Sequence, residues 1–259
     1  MHHRGMTTTP LNEARALLNG CASIAVLSGA GLSTGSGIPD FRGPNGLWTT
    51  DPDAEMLSDF DHYVSDASIR VRAWRSRLQS PVWTATPNAG HLALVTLEHA
   101  GRLAGIVTQN IDGLHQLAGS SPHLVNEVHG SVHRAICLTC GHEQPIEIVL
   151  ERVAAGEEDP RCRDGAFNCS GILKSSTISF GQSLLPHSMD DAVATVANAD
   201  ALLAVGTTLG VHPVASIVPL ASRAGLPVII ANRGETRYDH LADVLLDGDL
   251  SELLPELLA

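Results

Sequence analysis

The feature that most constrains the fold is a glycine-rich stretch directly after an apolar run. Residues 24–27 (IAVL) predict a buried β-strand, and the chain then reads GAGLSTGSGIPDFRG over residues 29–43. Glycines let backbone N–H groups approach an anion closely, and hydroxyl groups add donors. This arrangement indicates a phosphate-binding loop, although a tight turn that holds no ligand would use the same glycines.

The loop departs from the ordinary dinucleotide fingerprint. Thr34 stands where the third glycine after Gly29 and Gly31 is expected, and no acidic residue follows at a strand end about 20 residues on. Both departures argue against a hydride-transferring dehydrogenase. Residues 39–43 (PDFRG) strengthen the case for a site, because they set a carboxylate, an aromatic ring and a guanidinium side by side in a loop.

Predicted strands and helices alternate along the rest of the chain. This alternation predicts an α/β fold with a doubly wound, parallel, Rossmann-like sheet. The predicted strands are 22–28, 103–107, 123–128, 175–180, 201–205, 227–230 and 243–246, and the predicted helices are 12–18, 92–98, 188–197 and 214–224, with a terminal helix after the last strand. Ligands bind at the carboxyl ends of such strands, where residues 109–112 (QNID) and His129 stand.

Two stretches interrupt the alternation and predict additions to the sheet domain. Residues 45–87 are polar and contain the three tryptophans, which predicts a helical insertion. Residues 132–180 contain four cysteines and predict a zinc-binding module. The Rossmann-like sheet domain would then comprise 11–44, 88–131 and 181–259, a reasonable division for a chain of 259 residues.

The cysteines form two pairs, Cys137-x2-Cys140 and Cys162-x6-Cys169. Four thiolates at such spacings can close a tetrahedral zinc site, and four protein ligands would make the metal structural. The second pair departs from the usual Cys-x2-Cys, so His142 remains an alternative ligand in place of Cys162.

Charge and hydropathy limit the partners and the compartment. The formal net charge of -12 argues against general binding of nucleic acid or anionic membranes, and it favours basic peptide segments. No apolar run approaches the ~18 residues of a membrane span. Residues 1–6 (MHHRGM) lack the apolar core of a secretion signal, so a cytoplasmic location is expected.

Among the 13 histidines, His129 has the position best suited to proton transfer. It follows a predicted strand, precedes Gly130, and shares the ligand-binding edge of the sheet with Gln109, Asn110 and Asp112. Most histidines in a protein pack or face solvent, so position alone makes His129 a candidate only.

An ordered set of motifs resembles the sirtuin family. The resemblance covers about residues 27–250, and the ordered set is more specific than any one motif. The motifs are GAG through PDFRG at 29–43, TQNIDGLH at 108–115, HG at 129–130, the two cysteine pairs, FGQ at 180–182, GTT at 206–208 and NRGET at 232–236.

The resemblance implies an NAD-dependent protein-lysine deacetylase or deacylase, with NAD as co-substrate and Zn²⁺ as a structural metal. The acyl-lysine carbonyl oxygen would attack the anomeric carbon of the nicotinamide ribose and expel nicotinamide. His129 would then take a proton from a ribose hydroxyl, and O-acyl-ADP-ribose and free lysine would form. The acyl-lysine peptide would lie extended along residues 180–182.

The resemblance also implies roles for individual residues. His129 and Asn110 would be catalytic, and Cys137, Cys140, Cys162 and Cys169 would bind the metal. The implied cofactor-binding residues are Gly29, Ala30, Gly31, Ser33, Thr34, Asp40, Phe41, Arg42, Gln109, Asn110, Ile111, Asp112, Gly206, Thr207, Thr208, Asn232 and Leu250.

Two other functions remain open: NAD-dependent mono-ADP-ribosyl transfer, and non-catalytic binding of NAD or ADP-ribose. Relatives that remove acidic acyl groups share a Tyr-x-x-Arg pair, and Trp74-x-x-Arg77 stands in its place here, which favours acetyl or another uncharged acyl group. The arginines of residues 70–77 are expected on a solvated helix face. The protein is expected to be a monomer.

Overall fold

The computed structural model describes residues 9–43, 45–163 and 169–259. Residues 1–6, which were predicted to contain no secretion signal, lie outside these ranges. The strands are β1 (Ile24–Ser28), β2 (Leu103–Thr108), β3 (Val125–Glu127), β4 (Gly130–Cys137), β5 (Glu143–Pro145), β6 (Leu173–Thr177), β7 (Ala201–Val205), β8 (Val228–Ala231) and β9 (Val244–Leu246). The helices are α1 (Pro10–Asn19), α2 (Leu47–Thr50), α3 (Phe60–Ser65), α4 (Ala67–Leu78), α5 (Ala89–His99), α6 (Leu114–Ala118), α7 (Ile146–Ala154), α8 (Ser188–Ala197), α9 (Ile217–Arg223) and α10 (Leu250–Leu258).

Six parallel strands form the central sheet in the order β3-β2-β1-β7-β8-β9. Successive residues of β1 face opposite sides, and every residue of the strand is buried. Ile24 and Val26 pack in one core with residues of α1, α5 and α10. Ala25 and Leu27 pack in a second core with residues of α8 and α9. Helices therefore cover both faces, as the predicted doubly wound sheet requires.

The strand order reverses beside β1, which determines where a ligand can enter. The chain leaves β1 for β2 and β3 on one side, and later strands continue from β7 on the other side. Loops that leave β1 and β7 diverge above such a reversal and open a crevice at the carboxyl ends of the strands. The glycine-rich loop begins at this point.

A second sheet is antiparallel, with the order β5-β4-β6. Its core contains Trp74 of α4, Leu173 of β6 and residues of α7. Helix α7 is not among the predicted helices, although Ile146, Val149, Leu150 and Val153 show helical spacing. A strand was predicted over residues 175–180, whereas the observed strand β6 spans Leu173–Thr177 and is therefore shorter and begins earlier. Phe180 makes only an isolated bridge to Asp59.

The prediction that residues 70–77 form a solvated arginine face is wrong for Arg70. Its side chain is buried and donates two hydrogen bonds to the Asp159 carboxylate, both 2.9 Å long. Arg72 and Arg75 do face solvent. A charge pattern on a helix could not reveal that Asp159, distant in the chain, pairs with one of these arginines. Of the helices described, none has the length and apolar character that crossing a membrane would need.

Candidate active site

A pocket with a volume of about 1860 Å³ opens at the carboxyl end of the central sheet. The glycine-rich loop, the loop after β2, His129 just beyond β3 and the loops after β7 and β8 all line it. Every residue predicted to bind the cofactor or to act in catalysis lies in its wall: Gly29, Ala30, Gly31, Ser33, Thr34, Asp40, Phe41, Arg42, Gln109, Asn110, Ile111, Asp112, His129, Gly206, Thr207, Thr208, Asn232 and Leu250.

The glycines after β1 allow two loops to touch. The Gly31 N–H donates to the Gly206 carbonyl at 2.8 Å, so the loop after β1 lies directly against the loop after β7. A Cβ at Gly29 would lie 2.7 Å from the Gly206 oxygen, and one at Gly31 would lie 2.8 Å from Gly206 Cα. Gly206 itself has a φ of 62°, which favours glycine. These glycines therefore hold the two loops together at the crevice.

Asn110, Ser33 and Asp112 form a buried polar cluster. Ser33 Oγ donates to Asp112 Oδ2 at 2.7 Å and accepts from Asn110 Nδ2 at 3.1 Å. The Leu114 N–H donates to the other carboxylate oxygen, Asp112 Oδ1, at 2.9 Å. The cluster fixes an amide and a carboxylate in one place at the inner wall of the pocket.

His129 lies two residues beyond β3, and its ring is held by one hydrogen bond. Nδ1 is 3.1 Å from the Gln109 carbonyl oxygen, and because a carbonyl can only accept, Nδ1 carries the proton. Burial lowers the pKa of His129 below its usual value, against the smaller raising effect of that hydrogen bond. The ring is therefore neutral at pH 7, with Nε2 as its basic nitrogen.

Backbone geometry beside His129 explains why glycine follows it. Gly130 has a φ of 72°, and a Cβ there would lie 2.0 Å from the Ser176 carbonyl oxygen. Strand β6 therefore passes too close for any side chain at this position. The His129 carbonyl also accepts from the Ile178 N–H at 2.8 Å, which joins the histidine to the segment after β6.

Gln109 connects the loops after β2 and β7. Its Nε2 donates to Thr207 Oγ1 at 2.9 Å, while its backbone carbonyl holds His129. The Thr207 hydroxyl oxygen also accepts from the Leu209 N–H at 3.1 Å. One residue thus links the histidine to the far side of the crevice.

The four predicted zinc ligands come together at one end of the antiparallel sheet. Their four sulfur atoms all lie within 4.8 Å of one another, with Cys137 Sγ 3.6 Å from Cys169 Sγ and Cys140 Sγ 3.8 Å from Cys162 Sγ. Four soft thiolate ligands in a compact group fit a tetrahedral zinc ion. Cys162 belongs to this cluster and His142 does not, so the alternative ligand set is wrong.

Two groups in the wall of the pocket are not predicted there from the sequence. Trp48 lines the pocket and contacts Phe41 and Phe180. The sequence signal that could have identified it is an aromatic residue close to the PDFRG motif in a chain with few aromatic residues. Lys174 and Arg77 also line the pocket. Burial, with a smaller contribution from nearby Arg77, lowers the pKa of Lys174 to about 7. No local pattern predicts this placement of Lys174.

Comparisons with known proteins agree with this geometry. The sequence model of the Sir2 family matches residues 29–213. The chain is 44% identical over 241 residues to NAD-dependent protein deacetylase 2 of Streptomyces coelicolor, a match that covers 93% of this chain and 98% of the relative. The chain therefore belongs to the Sir2 family.

Solved Sir2 structures share the fold. A Sir2 variant bound to a deacetylated p53 peptide and 3'-O-acetyl ADP-ribose matches with a TM-score of 0.86 and 31% identity, covering 95% of this chain and 96% of the other. Sir2 bound to a p53 peptide and NAD⁺ matches with a TM-score of 0.83 and 31% identity, covering 94% and 95%. The similarity extends over nearly the whole of each chain.

Proposed function

We propose that this protein is an NAD-dependent protein-lysine deacetylase that releases nicotinamide and O-acetyl-ADP-ribose. The observation that carries the proposal is the neutral His129, whose basic Nε2 belongs to the same pocket as the Asn110–Ser33–Asp112 cluster and the glycine-rich loop. Membership of the Sir2 family and the relative's name support the same activity.

NAD supplies an ADP-ribosyl group whose nicotinamide can leave. The backbone N–H groups and hydroxyls after β1 suit its diphosphate, because neutral donors bind an anion without a competing counter-charge. The proposed contacts are Gly29, Ala30, Gly31, Ser33, Thr34, Asp40, Phe41 and Arg42 for the diphosphate and nicotinamide side, Gln109 for the ribose, Asn110, Ile111 and Asp112 for nicotinamide, and Gly206, Thr207, Thr208, Asn232 and Leu250 for the adenosine half.

His129 is proposed as the general base and Asn110 as a second catalytic residue. The Gln109 carbonyl holds His129 in the tautomer that leaves Nε2 free to take a proton from a ribose hydroxyl. The Asn110 side chain is held in place through Gly29 and Ser33, since its Nδ2 donates to the Gly29 carbonyl and to Ser33 Oγ, both at 3.1 Å. Such fixed groups lower the cost of orienting the reactants.

The acyl-lysine substrate is proposed to lie along residues 180–182, and acetyl is the proposed acyl group. Phe180 lines the pocket and is partly exposed, so its ring is available to a peptide. A succinyl-lysine peptide is the comparator that tests the acyl group, because Arg77 and Lys174 add positive charge to the pocket wall. Faster reaction of the succinylated peptide would contradict the preference for acetyl.

Zn²⁺ is proposed at Cys137, Cys140, Cys162 and Cys169 as a structural metal, since all four positions of a tetrahedral site would be protein ligands. Reduced cysteines fit a cytoplasmic location, which we propose for this protein. We also propose that it is a monomer and has no nucleic-acid partner. Light scattering after size exclusion would test the monomer. The division into an NAD-binding domain, a helical insertion (45–87) and a zinc module (132–180) is likewise a proposal.

One assay tests the activity against its alternatives. The protein is incubated with NAD and an acetyl-lysine peptide, and nicotinamide release and peptide mass are followed together. Nicotinamide release that depends on the peptide, with loss of the acetyl mass, supports deacetylation. NAD loss without a change in the peptide would indicate ADP-ribosyl transfer or hydrolysis, and absence of NAD loss would indicate a binding module.

The His129→Ala variant tests the mechanism. We expect it to abolish turnover while NAD still binds, because the histidine moves a proton and does not hold the cofactor. The wild-type activity should persist somewhat below pH 6.5 and fail only at lower pH, since the lowered pKa keeps His129 neutral there. Full activity of His129→Ala would refute this role.

A further inference from the structure

Trp48 stands between the loop on the cofactor side and the segment proposed to bind peptide. Its ring centroid lies 4.9 Å from that of Phe41 and 5.4 Å from that of Phe180. The Arg42 guanidinium carbon lies 4.5 Å from the Trp48 ring centroid, a cation–π distance. Three neighbours from two separate parts of the chain therefore fix the position of one indole.

The backbone around Trp48 is also fixed. The Leu47 N–H donates to the Asp40 carbonyl at 2.7 Å and the Trp48 N–H to the Phe41 carbonyl at 3.0 Å. A Cβ on Gly46 would lie 2.6 Å from the Phe41 carbonyl carbon, so only glycine permits this approach. These contacts therefore hold the backbone of Trp48 against residues 40 and 41.

Phe180 is held on the opposite side. Its N–H donates to the Ser58 carbonyl at 2.8 Å, and its carbonyl accepts from the Phe60 N–H at 2.9 Å. Helix α3 and the residues before it thus anchor the backbone of Phe180, while 39% of the residue stays exposed. The contact between Trp48 and Phe180 joins two anchored segments at the pocket.

Like the indole nitrogen of the core residue Trp74, that of Trp48 is an unexplained group. Nε1 is buried and has no hydrogen-bond partner among the residues that the structure describes. A buried N–H without an acceptor costs free energy comparable to a lost hydrogen bond, so such a donor is expected to meet an acceptor in some state of the protein. Because Trp48 lines the pocket, the ligand-bound protein is the state in which this N–H would become accessible to an acceptor.

We propose that Trp48 is a substrate-contacting residue whose indole N–H donates a hydrogen bond to a backbone carbonyl of the acyl-lysine peptide. Trp48 packs on Phe41 and Arg42 of the cofactor-side loop and also on Phe180. We favour the peptide over NAD as the acceptor because Phe180 belongs to the segment proposed to bind peptide. The ring adds apolar contact beside Phe180, and Phe41 and Arg42 hold it in place. This inference rests on the proposed deacetylase activity.

The test compares Trp48→Phe with Trp83→Phe in the full-length protein. Phenylalanine keeps an aromatic ring but removes the indole N–H, so KM for an acetyl-lysine peptide should rise about 3- to 10-fold, the value of one neutral hydrogen bond, with KM for NAD little changed. Trp83 is the matched control, because its Nε1 already donates to the Arg77 carbonyl and it lies outside this pocket. An unchanged peptide KM in a folded Trp48→Phe variant would overturn the proposal.

Fluorescence gives a second readout that leaves Trp48 intact. The chain has three tryptophans, so Trp83→Phe retains Trp48 and Trp74, and Trp74, although it borders the pocket, is only 1% exposed. Addition of acetyl-lysine peptide should shift the emission of this variant, and a peptide lacking the acetyl-lysine should not. No shift at a peptide concentration that saturates turnover would overturn the proposal. Failure of the wild-type protein to deacetylate would instead refute the activity itself.

Discussion

Ser33 Oγ donates a 2.7 Å hydrogen bond to Asp112 Oδ2, across two loops that are far apart in the chain. The parallel pairing of β1 with β2 makes this contact possible, because it sets Ser28 opposite Thr108 at the ends of the two strands. The loops that follow then begin side by side. The same serine accepts from Asn110, so a single hydroxyl orients both an amide and a carboxylate.

Ser33→Ala should lower kcat/KM for NAD by about 10- to 100-fold, because hydrogen bonds to charged groups contribute about 1.5–3 kcal/mol. The loss is expected in NAD kinetics, with a smaller effect on the thermal midpoint. Ser222→Ala is the matched control, since Ser222 lies in α9 and outside the pocket. Wild-type NAD kinetics in Ser33→Ala would show that Asp112 needs no such support.

The cysteine cluster predicts close to one zinc ion per chain by elemental analysis. Cys140→Ser should remove the metal and lower the thermal midpoint by about 10 °C or more, because a structural zinc site contributes many kcal/mol to folding. Cys140 is exposed, so the serine itself should fit. Cys21→Ser, outside the cluster, should keep both zinc and stability. A fully folded, metal-free wild-type protein would refute the site.

Arg70 and Arg72 lie on the same helix but should respond very differently to truncation. Arg70→Ala removes two hydrogen bonds from the Asp159 carboxylate, which keeps its ion pair with Arg161. It also removes the donor to the Tyr63 and Val64 carbonyls, so the loss should be at least about 1.5–3 kcal/mol. Arg72 is exposed, and Arg72→Ala should change the free energy of unfolding by less than about 0.5 kcal/mol. Urea denaturation of the two variants measures both, and equal effects would contradict the burial of Arg70.

Two buried histidines should make the protein sensitive to acid. His91 and His115 are buried, with ring centroids 5.2 Å apart. Desolvation lowers the pKa of His91 to about 4, against a smaller opposing effect of Asp112, and lowers that of His115 to about 3. Both folded values lie below the ordinary 6.5. The unfolded chain therefore binds more protons between pH 6.5 and these values, and stability falls as pH drops through that window.

His91→Leu tests this pH dependence. Each such histidine contributes roughly 1.4 kcal/mol per pH unit, so the variant should lose less stability than wild type between pH 6.5 and pH 4.5. His99→Leu, at an exposed position of the same helix, should behave like wild type. Any acid release of zinc affects all three proteins alike, so the difference between variants is the measurement. Parallel curves for all three would contradict the burial effect.

Much of the site could be predicted because its residues stand at readable places in the sequence. The buried strand β1, the glycines after it and the polar residues after β2 and β3 follow from apolar runs and their ends. Position in the sequence alone distinguishes His129 from the other histidines, without knowledge of its contact with the Gln109 carbonyl. Helix α7 has visible helical spacing, but it lies among glycines and cysteines whose pattern is typical of an irregular metal-binding module.

The sequence by itself determined the α/β fold, the order of the motifs and the four cysteines, because apolar periodicity and residue type are local properties. Only the tertiary structure decided that Ser33 meets Asp112, that Gly31 packs on Gly206, that Arg70 is buried against Asp159 and that Trp48 contacts Phe180. Each of these contacts joins distant parts of the chain. Strand pairing and the packing of residues distant in the chain determine such contacts, and no local pattern predicts either.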